Sequence, residues 1–340
     1  MLRNTIILHY RNWIIDFLRL AGKLNILRAW NLLQVFIGYY LSKMLRRPVV
    51  LGMPYAISAE VAATCNLRCP HCVEGLKMSN RKIKLLPKED FKQLLSAYKS
   101  HALYANLYFQ GEPFLNPELP EIVSMANHYG LYTYVSTNGH FLHAENCKRI
   151  VEAGLNRIVI SLDGLNDETY RFYRVGGNFN KVVDGIATLS KTKKAMNASH
   201  PLIVIQFLVN RQNESQIGDL PKFAKSLGAD LVEIKTMQLN QEAESTAYLP
   251  QNPKYSRYHI KDGKLVLRKT PTKAGCFRLW SHVVFTSDGL LVPCCYDKLP
   301  DYPMGNTKGK NLWFSPQMNQ FRAKLLTQRS NLDICCNCNE

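Results

Sequence analysis

The sequence predicts an α/β fold built from parallel βαβ units, on three observations. Short apolar runs suited to strands recur at 56–61, 106–110, 132–136, 157–161, 203–209 and 231–235. Segments with helical spacing of apolar residues lie between them, at 88–100, 118–129, 144–153, 180–191 and 215–227. Punctuation stands where such an alternation needs it: Pro87 at a helix start, and Gly130, Gly154 and Gly228 after helix ends, as first-turn prolines and post-helical glycines do. Strands separated by single helices pair in parallel. Six of them make an open doubly wound sheet or a partial barrel, and in both the chemistry belongs at the C-terminal ends of the strands.

Taken in order, residues 1–50 form a separate helical extension. From Leu33 the apolar positions Phe36, Ile37, Tyr40, Leu41, Met44 and Leu45 follow a helical period that ends at Arg46-Arg47-Pro48. An earlier stretch, Trp13-Ile14-Ile15 with Phe17 and Leu18, is interleaved with Arg11, Arg19 and Lys23. Neither reaches the roughly 20 apolar residues of a spanning helix. The extension reads either as a helix packed on the main domain or as a basic amphipathic helix on a membrane surface. Residues 51–237 carry the strand–helix alternation. Residues 238–275 are polar and weakly patterned, a linker with one hairpin around Lys261-Asp262-Gly263-Lys264. Residues 276–340 form a cysteine-rich tail.

A chain of 340 residues exceeds one ordinary core, so a large domain with a smaller companion is expected. Hydrophobic content of 46% and charged content of 20% exclude wholesale disorder. The net charge is +17, but the basic residues are scattered and no nucleic-acid motif accompanies them. An anionic membrane surface, an acidic substrate or an acidic electron-donor protein suits that charge as well or better.

Ten cysteines stand at 65, 69, 72, 147, 276, 294, 295, 335, 336 and 338. In a secreted chain they would suggest disulfides. The early apolar residues are broken by Arg11, Asp16, Arg19 and Lys23 without a small-residue cleavage site, so no secretory signal is read. A reducing cytosol, with the cysteines as metal ligands, is the expectation.

Three of them follow the first strand, in Cys65-Asn66-Leu67-Arg68-Cys69-Pro70-His71-Cys72. Three thiolates can hold three irons of a cubane iron–sulfur cluster, for which a fourth protein ligand is usual. An iron without a protein thiolate can bind a small molecule. Zinc would want four ligands, commonly as two pairs, and His71 as the fourth would be cramped in so short a loop. Three further motifs close later strands: Gln110-Gly111-Glu112-Pro113, Ser136-Thr137-Asn138-Gly139 and Ser161-Leu162-Asp163-Gly164.

With these companions the chain resembles the radical S-adenosylmethionine (SAM) enzymes. The resemblance covers roughly residues 55 to 340 and implies a partial (β/α)6 barrel. It implies that Cys65, Cys69 and Cys72 hold a [4Fe–4S] cluster whose open iron is chelated by SAM, and that an electron from that cluster releases a 5′-deoxyadenosyl radical. His71 would border the adenine. Gly111, Glu112 and Pro113 would receive the SAM amino group, an acceptor suited to an ammonium donor. Ser136, Asn138 and Ser161 would face SAM, the two serines bonding its carboxylate or ribose. Arg174 would meet the SAM carboxylate or the substrate, a carboxylate matching a bidentate fork. Asp163 fits a SAM role or a local turn, and Gln206 and Asn210 are weaker candidates.

The tail, from Cys276 through Val292-Pro293-Cys294-Cys295 to Cys335-Cys336-Asn337-Cys338, resembles the SPASM/twitch extension of a subgroup of these enzymes. Ending at Glu340, it fits the shorter form with one auxiliary four-iron cluster, on Cys276, Cys294, Cys335 and Cys338. A zinc ribbon is the competing reading. Cys295 and Cys336 adjoin proposed ligands and leave the set ambiguous, and Cys295 is a candidate hydrogen donor. Cys147, alone on a helix pattern, reads as a buried small hydrophobe. The resemblance implies oxidation or other C–H modification of a peptide or sugar-like small molecule, with a low-potential donor such as flavodoxin or ferredoxin. A membrane-surface enzyme acting on a lipid or glycan intermediate, and a non-catalytic iron–sulfur carrier, are the alternatives.

Overall fold

The computed structural model describes residues 5–239, 243–268, 275–306, 311–336 and 338. Asn337 of the tail motif, and 240–242 and 269–274 of the expected linker, lie outside the described residues. The chain divides into two compact units, one of residues 1–18, 65–78 and 135–269, the other of residues 19–64, 79–134 and 270–340.

The first unit carries three parallel strands, β5 (Arg157–Ser161), β6 (Leu202–Val209) and β7 (Leu231–Thr236), with Arg157 opposite Leu202 and Val204 opposite Leu231. A short strand β1 (Thr5–Ile7), which the sequence pattern does not reveal, adds antiparallel to β7. Strands β5 and β6 are almost wholly buried, as parallel strands covered on both faces are. The connecting helices are α5 (Ala144–Glu152), α6 (Asp167–Tyr173), α7 (Phe179–Ala195) and α8 (Leu220–Ser226), and the side chains of His143, Asn166 and Asn178 cap the first three. The helix expected over 215–227 is split. A 3-10 turn occupies Glu214–Gly218, and Pro221, which lacks a donor and suits a first turn, starts α8. The expected hairpin is present as β8 (Tyr258–Lys261) and β9 (Lys264–Leu267).

The second unit holds β2 (Ala56–Ala59), with β3 (Tyr104–Asn106) parallel on one side and β10 (His282–Phe285) parallel on the other. Strand β4 (Tyr132–Thr137) runs parallel to β3 at Tyr104–Tyr132, and its residues from Val135 belong to the first unit. Strands β11 (Leu290–Val292) and β12 (Gly305–Asn306) continue antiparallel from β10. Strand β3 ends earlier than the expected 106–110, because Phe109 turns out of it to pack on Val284, Val292 and Cys295. Helices α3 (Lys88–Ser96) and α4 (Leu119–His128) follow β2 and β3. The N-terminal extension forms α1 (Tyr10–Ala21) and α2 (Ile26–Leu45), the latter capped by Asn25. α2 packs through Phe36 and Tyr39 against Phe277, with ring centroids 5.0 and 5.2 Å apart. The tail adds α9 (Arg278–Ser281), α10 (Pro316–Gln328) and α11 (Asp333–Cys336). Among the described residues no helix is long and apolar enough to cross a membrane.

Candidate active site

Strand β2 ends just before the cysteine loop, and the loop organises itself around sulfur. Leu67 N lies 3.4 Å from Cys65 Sγ, Cys72 N donates to Cys69 O at 3.2 Å, and Leu76 N to Cys72 O at 2.9 Å. Gly75 lets the loop close on itself, since a Cβ there would strike the Cys69 backbone. Arg68 N ties the loop to Val175 O at 2.9 Å.

Two side chains from later strand ends address the thiols. Asn138, after β4, places Nδ2 3.7 Å from Cys65 Sγ and 2.8 Å from Asn66 Oδ1. Its amide is held by His140, whose N and Nδ1 reach Asn138 Oδ1 at 3.0 and 2.9 Å while Nε2 accepts from Asn178 N. That second bond makes Nδ1 the protonated nitrogen. Arg174, at the end of α6, points Nη1 at Cys69 Sγ, 3.9 Å away, and gives Nε to Asp163 Oδ2 at 2.5 Å. Asp163 is fully buried, and its other oxygen accepts from Leu208 N at 2.7 Å. Asp163 is therefore the anchor of Arg174, a role set by distance across the fold rather than by a local turn. Burial opposes the Arg174 charge, but Asp163 and Cys69 outweigh it and hold the guanidinium well above its ordinary pKa. Burial pushes the Cys69 thiol up and Arg174 pulls it back. His71 lies between aromatic rings, edge-on to Tyr248 at 4.8 Å and parallel to Tyr173 at 6.5 Å.

Ser161 closes β5, buried and opposite Gln206 of β6, and Ser136 is half-buried on β4. Asn210 bonds its own turn, through N to Asn213 and through Oδ1 to Gln212 N, while its buried Nδ2 has no hydrogen-bond partner among the described residues. In the second unit, Gly111 takes φ +71° against the carbonyls of Ala62 and Thr64, where a Cβ would collide. Glu112 N donates to Thr64 O at 2.8 Å, and its buried carboxylate caps the turn at Phe114 N, 3.1 Å away. The sequence reading missed one buried ion pair of this unit, Arg81–Glu60 at 2.8 Å, which also receives Ser287 N at 3.0 Å. Its two members are distant in sequence and neither belongs to a motif.

No disulfide joins the ten cysteines. In the tail, burial raises the Cys294 pKa well above its ordinary value, and the charges of Cys295, Cys276 and Cys335 add to that. Cys335, raised to about 11 by burial, also feels Cys338 and Cys276. Cys294 thus lies within electrostatic reach of Cys295, Cys276 and Cys335, and Cys335 within reach of Cys338 and Cys276. Cys295 also packs on Phe109, Val284 and Val292, with Arg278 Nη1 3.5 Å from its sulfur. Cys336 is exposed and turns its thiol to Ser330 O and Leu332 O at 3.6 and 3.5 Å. Arg329 stands 3.9 Å from Cys338 Sγ. Cys147 is buried, its pKa pushed up to about 12 by burial, as a small hydrophobe would be. Among the described residues no three His, Cys, Asp or Glu side chains are gathered as ligands of one metal ion. A cubane needs no such gathering, because each of its protein thiolates sits on a different iron. Buried thiols met by N–H groups and arginines fit a cluster of net negative charge.

Comparison with known proteins agrees with this chemistry. The radical SAM superfamily model matches residues 60–220, and the SPASM iron–sulfur cluster-binding domain matches residues 276–339. The chain is similar to the GTP 3′,8-cyclase of Limosilactobacillus fermentum, 31% identical over 192 residues, 55% of this chain and 56% of the relative. It therefore spans only about half the length of that relative. It is also similar to the PqqA peptide cyclase of Gluconobacter oxydans, 27% identical over 290 residues and 79% of each chain. Among solved structures, native anSMEcpe with bound AdoMet superposes with a TM-score of 0.58 at 17% identity, over 84% of this chain and 88% of that one. That likeness shows the fold, a partial (β/α)6 barrel followed by the cysteine-rich domain. The cofactors that accompany it are a [4Fe–4S] cluster with SAM and an auxiliary iron–sulfur cluster. Because the two matches fall on the two cysteine groups, the protein belongs to the radical SAM superfamily, in the subgroup that carries a SPASM domain.

Proposed function

We propose that this protein cleaves SAM reductively and uses the radical to oxidise or otherwise modify a C–H bond of a peptide or a sugar-like small molecule. The observation that carries the reading is the sulfur-directed loop, in which Leu67 N, Asn138 and Arg174 converge on the thiols of Cys65 and Cys69. When bound, the cluster supplies the electron that splits SAM into methionine and a 5′-deoxyadenosyl radical able to take a substrate hydrogen. The chain's own part is binding and positioning. Cys65, Cys69 and Cys72 hold the cluster. Gly111, Glu112 and Pro113 receive the SAM amino group, Ser136 and Ser161 bond the carboxylate or ribose, Asn138 faces SAM, and the His71 ring borders the adenine. Arg174, fixed by Asp163, sets a permanent positive charge beside Cys69. Cys276, Cys294, Cys335 and Cys338 hold the auxiliary cluster, since Cys336 faces backbone carbonyls and Cys295 an apolar cluster.

The domain scheme that goes with this is a helical extension (1–50), a radical SAM core (51–237), a linker (238–275) and an auxiliary domain (276–340). The similarity to a peptide cyclase over most of both chains supports a peptide substrate. The net charge of +17 suits an acidic flavodoxin-like or ferredoxin-like donor. Anaerobically reconstituted protein with dithionite and SAM is expected to release 5′-deoxyadenosine. No release from protein with its iron intact would leave an iron–sulfur carrier as the reading. Cys336→Ser is expected to keep the full iron content, whereas Cys338→Ser loses about four irons per chain. Iron and sulfide analysis checks it, and equal loss in both variants would overturn the ligand set.

A further inference from the structure

Helix α2 is built inside out. Ile26, Trp30, Leu33, Ile37, Tyr40 and Met44 recur at steps of four and three, an arc of about 80° at 3.6 residues per turn. All six face solvent: Ile26 is 91% exposed, Met44 71%, Tyr40 61% and Trp30 57%. The opposite face, which is buried, consists of Arg28, Asn31, Val35, Gly38 and Ser42. Its polar members bond the backbone packed against them. Arg28 donates to the carbonyls of Lys23 and Gly130 at 2.7 and 2.8 Å, and to those of Lys99 and Tyr129 at 3.1 Å. Asn31 exchanges two bonds with the Met53 backbone, and Ser42 bonds Gly38 O and Val49. Gly38 and Gly52 permit the close approach, since a Cβ on either would strike backbone or Val35. A helix docked in water normally buries its apolar stripe, and a contiguous exposed one of this size marks an interaction surface.

Charge selects the occupant. Between Asp16 and Glu60 there is no acidic residue, while Arg19, Lys23, Arg28, Lys43, Arg46 and Arg47 stand in that interval. Lys43, Arg46 and Arg47 are exposed where α2 ends. A second copy of the chain would bring an equally basic rim, and like charges oppose that pairing. An anionic bilayer offers the complement to both features: acyl chains for the apolar arc and phosphates for the cations. Trp30 and Tyr40 are the aromatic types that settle at the headgroup level.

We propose that α2 lies in the plane of an anionic phospholipid surface, its outward face sunk into the headgroup–acyl boundary, and so seats the protein on a membrane. This goes beyond the SAM chemistry, and its test does not depend on turnover. Full-length reconstituted protein is sedimented with vesicles of phosphatidylglycerol and phosphatidylcholine, and with pure phosphatidylcholine. Binding is expected on the anionic vesicles, with Trp fluorescence quenched by acyl-brominated lipid and that quenching reduced in Trp30→Phe. Ile37→Glu/Tyr40→Glu is expected to bind at least tenfold more weakly with an unchanged melting curve and iron content. Arg46→Gln/Arg47→Gln is expected to weaken binding roughly 25-fold, at about fivefold for each surface cation. Failure of the wild-type protein to bind anionic vesicles, or full binding by Ile37→Glu/Tyr40→Glu, overturns the proposal. So does a dimer, seen by light scattering, that this double variant splits while neither form binds vesicles.

Discussion

Replacing Cys69 by serine is expected to remove about four irons per chain and to reduce 5′-deoxyadenosine release to background, leaving the auxiliary cluster in place. Cys69 is the buried member of the trio, the one Arg174 faces, and the residue whose backbone Gly75 closes upon. Its burial makes a lone thiol unwilling to ionise, and iron must displace that proton to bind. A serine at this position offers a hard oxygen in place of a soft thiolate. Iron and sulfide analysis, with electron paramagnetic resonance of the reduced protein, separates the two clusters. Retention of both clusters and of SAM cleavage would remove the trio from the mechanism.

Arg174→Gln carries the second large effect, and it acts on stability and on the cluster together. Asp163 is fully buried, and the substitution leaves its carboxylate with Leu208 N but no cation. Breaking a buried pair from one side costs about 3–5 kcal/mol, so a fall of roughly 4–7 °C in melting temperature is expected for a chain of this size. Asp163→Asn/Arg174→Gln removes both charges and is expected to recover most of that loss, because the two positions are coupled. Loss of the guanidinium beside Cys69 also lowers the reduction potential of the cluster, since a nearby cation favours the more negative reduced state. Spectroelectrochemical titration reads that shift directly. A variant as stable as the wild type, with an unmoved potential, would show that Asp163 and Arg174 do not act as a pair.

Most of the parallel scaffold was legible because it is local. Strand β5 falls on the expected residues, and helices α4 and α5 end before the glycines that were read as their stops. Departures occur where a distant partner decides. Phe109 left its expected strand for Val284 and Val292, and Pro221 divided a helix that apolar spacing alone would have run through. β1 is three residues long and exists only because the edge of β7 accepts it.

The candidate site divides the same way. The trio, Gly111-Glu112-Pro113 and the strand-end serines stand out in the sequence as candidates, because each is a short local motif. What Arg174 holds could not, since Asp163 is eleven residues away and both belong to a network completed by β6. Adjacent cysteines show the limit most clearly. Cys294 and Cys295 are equivalent as letters, and both sit in a turn closed by Asp297 N on Cys294 O. Only the tertiary structure packs Cys295 on Phe109, Val284 and Val292, far away in sequence. Helix α2 is the same lesson at larger scale. Its period was evident, but periodicity identifies a face without saying what that face meets. By itself the sequence determined the cofactor chemistry and the order of the elements, which depend on short-range spacing. Only the tertiary structure decided that Cys295 packs on Phe109 and that α2 turns its apolar side outward, because packing against distant residues sets direction.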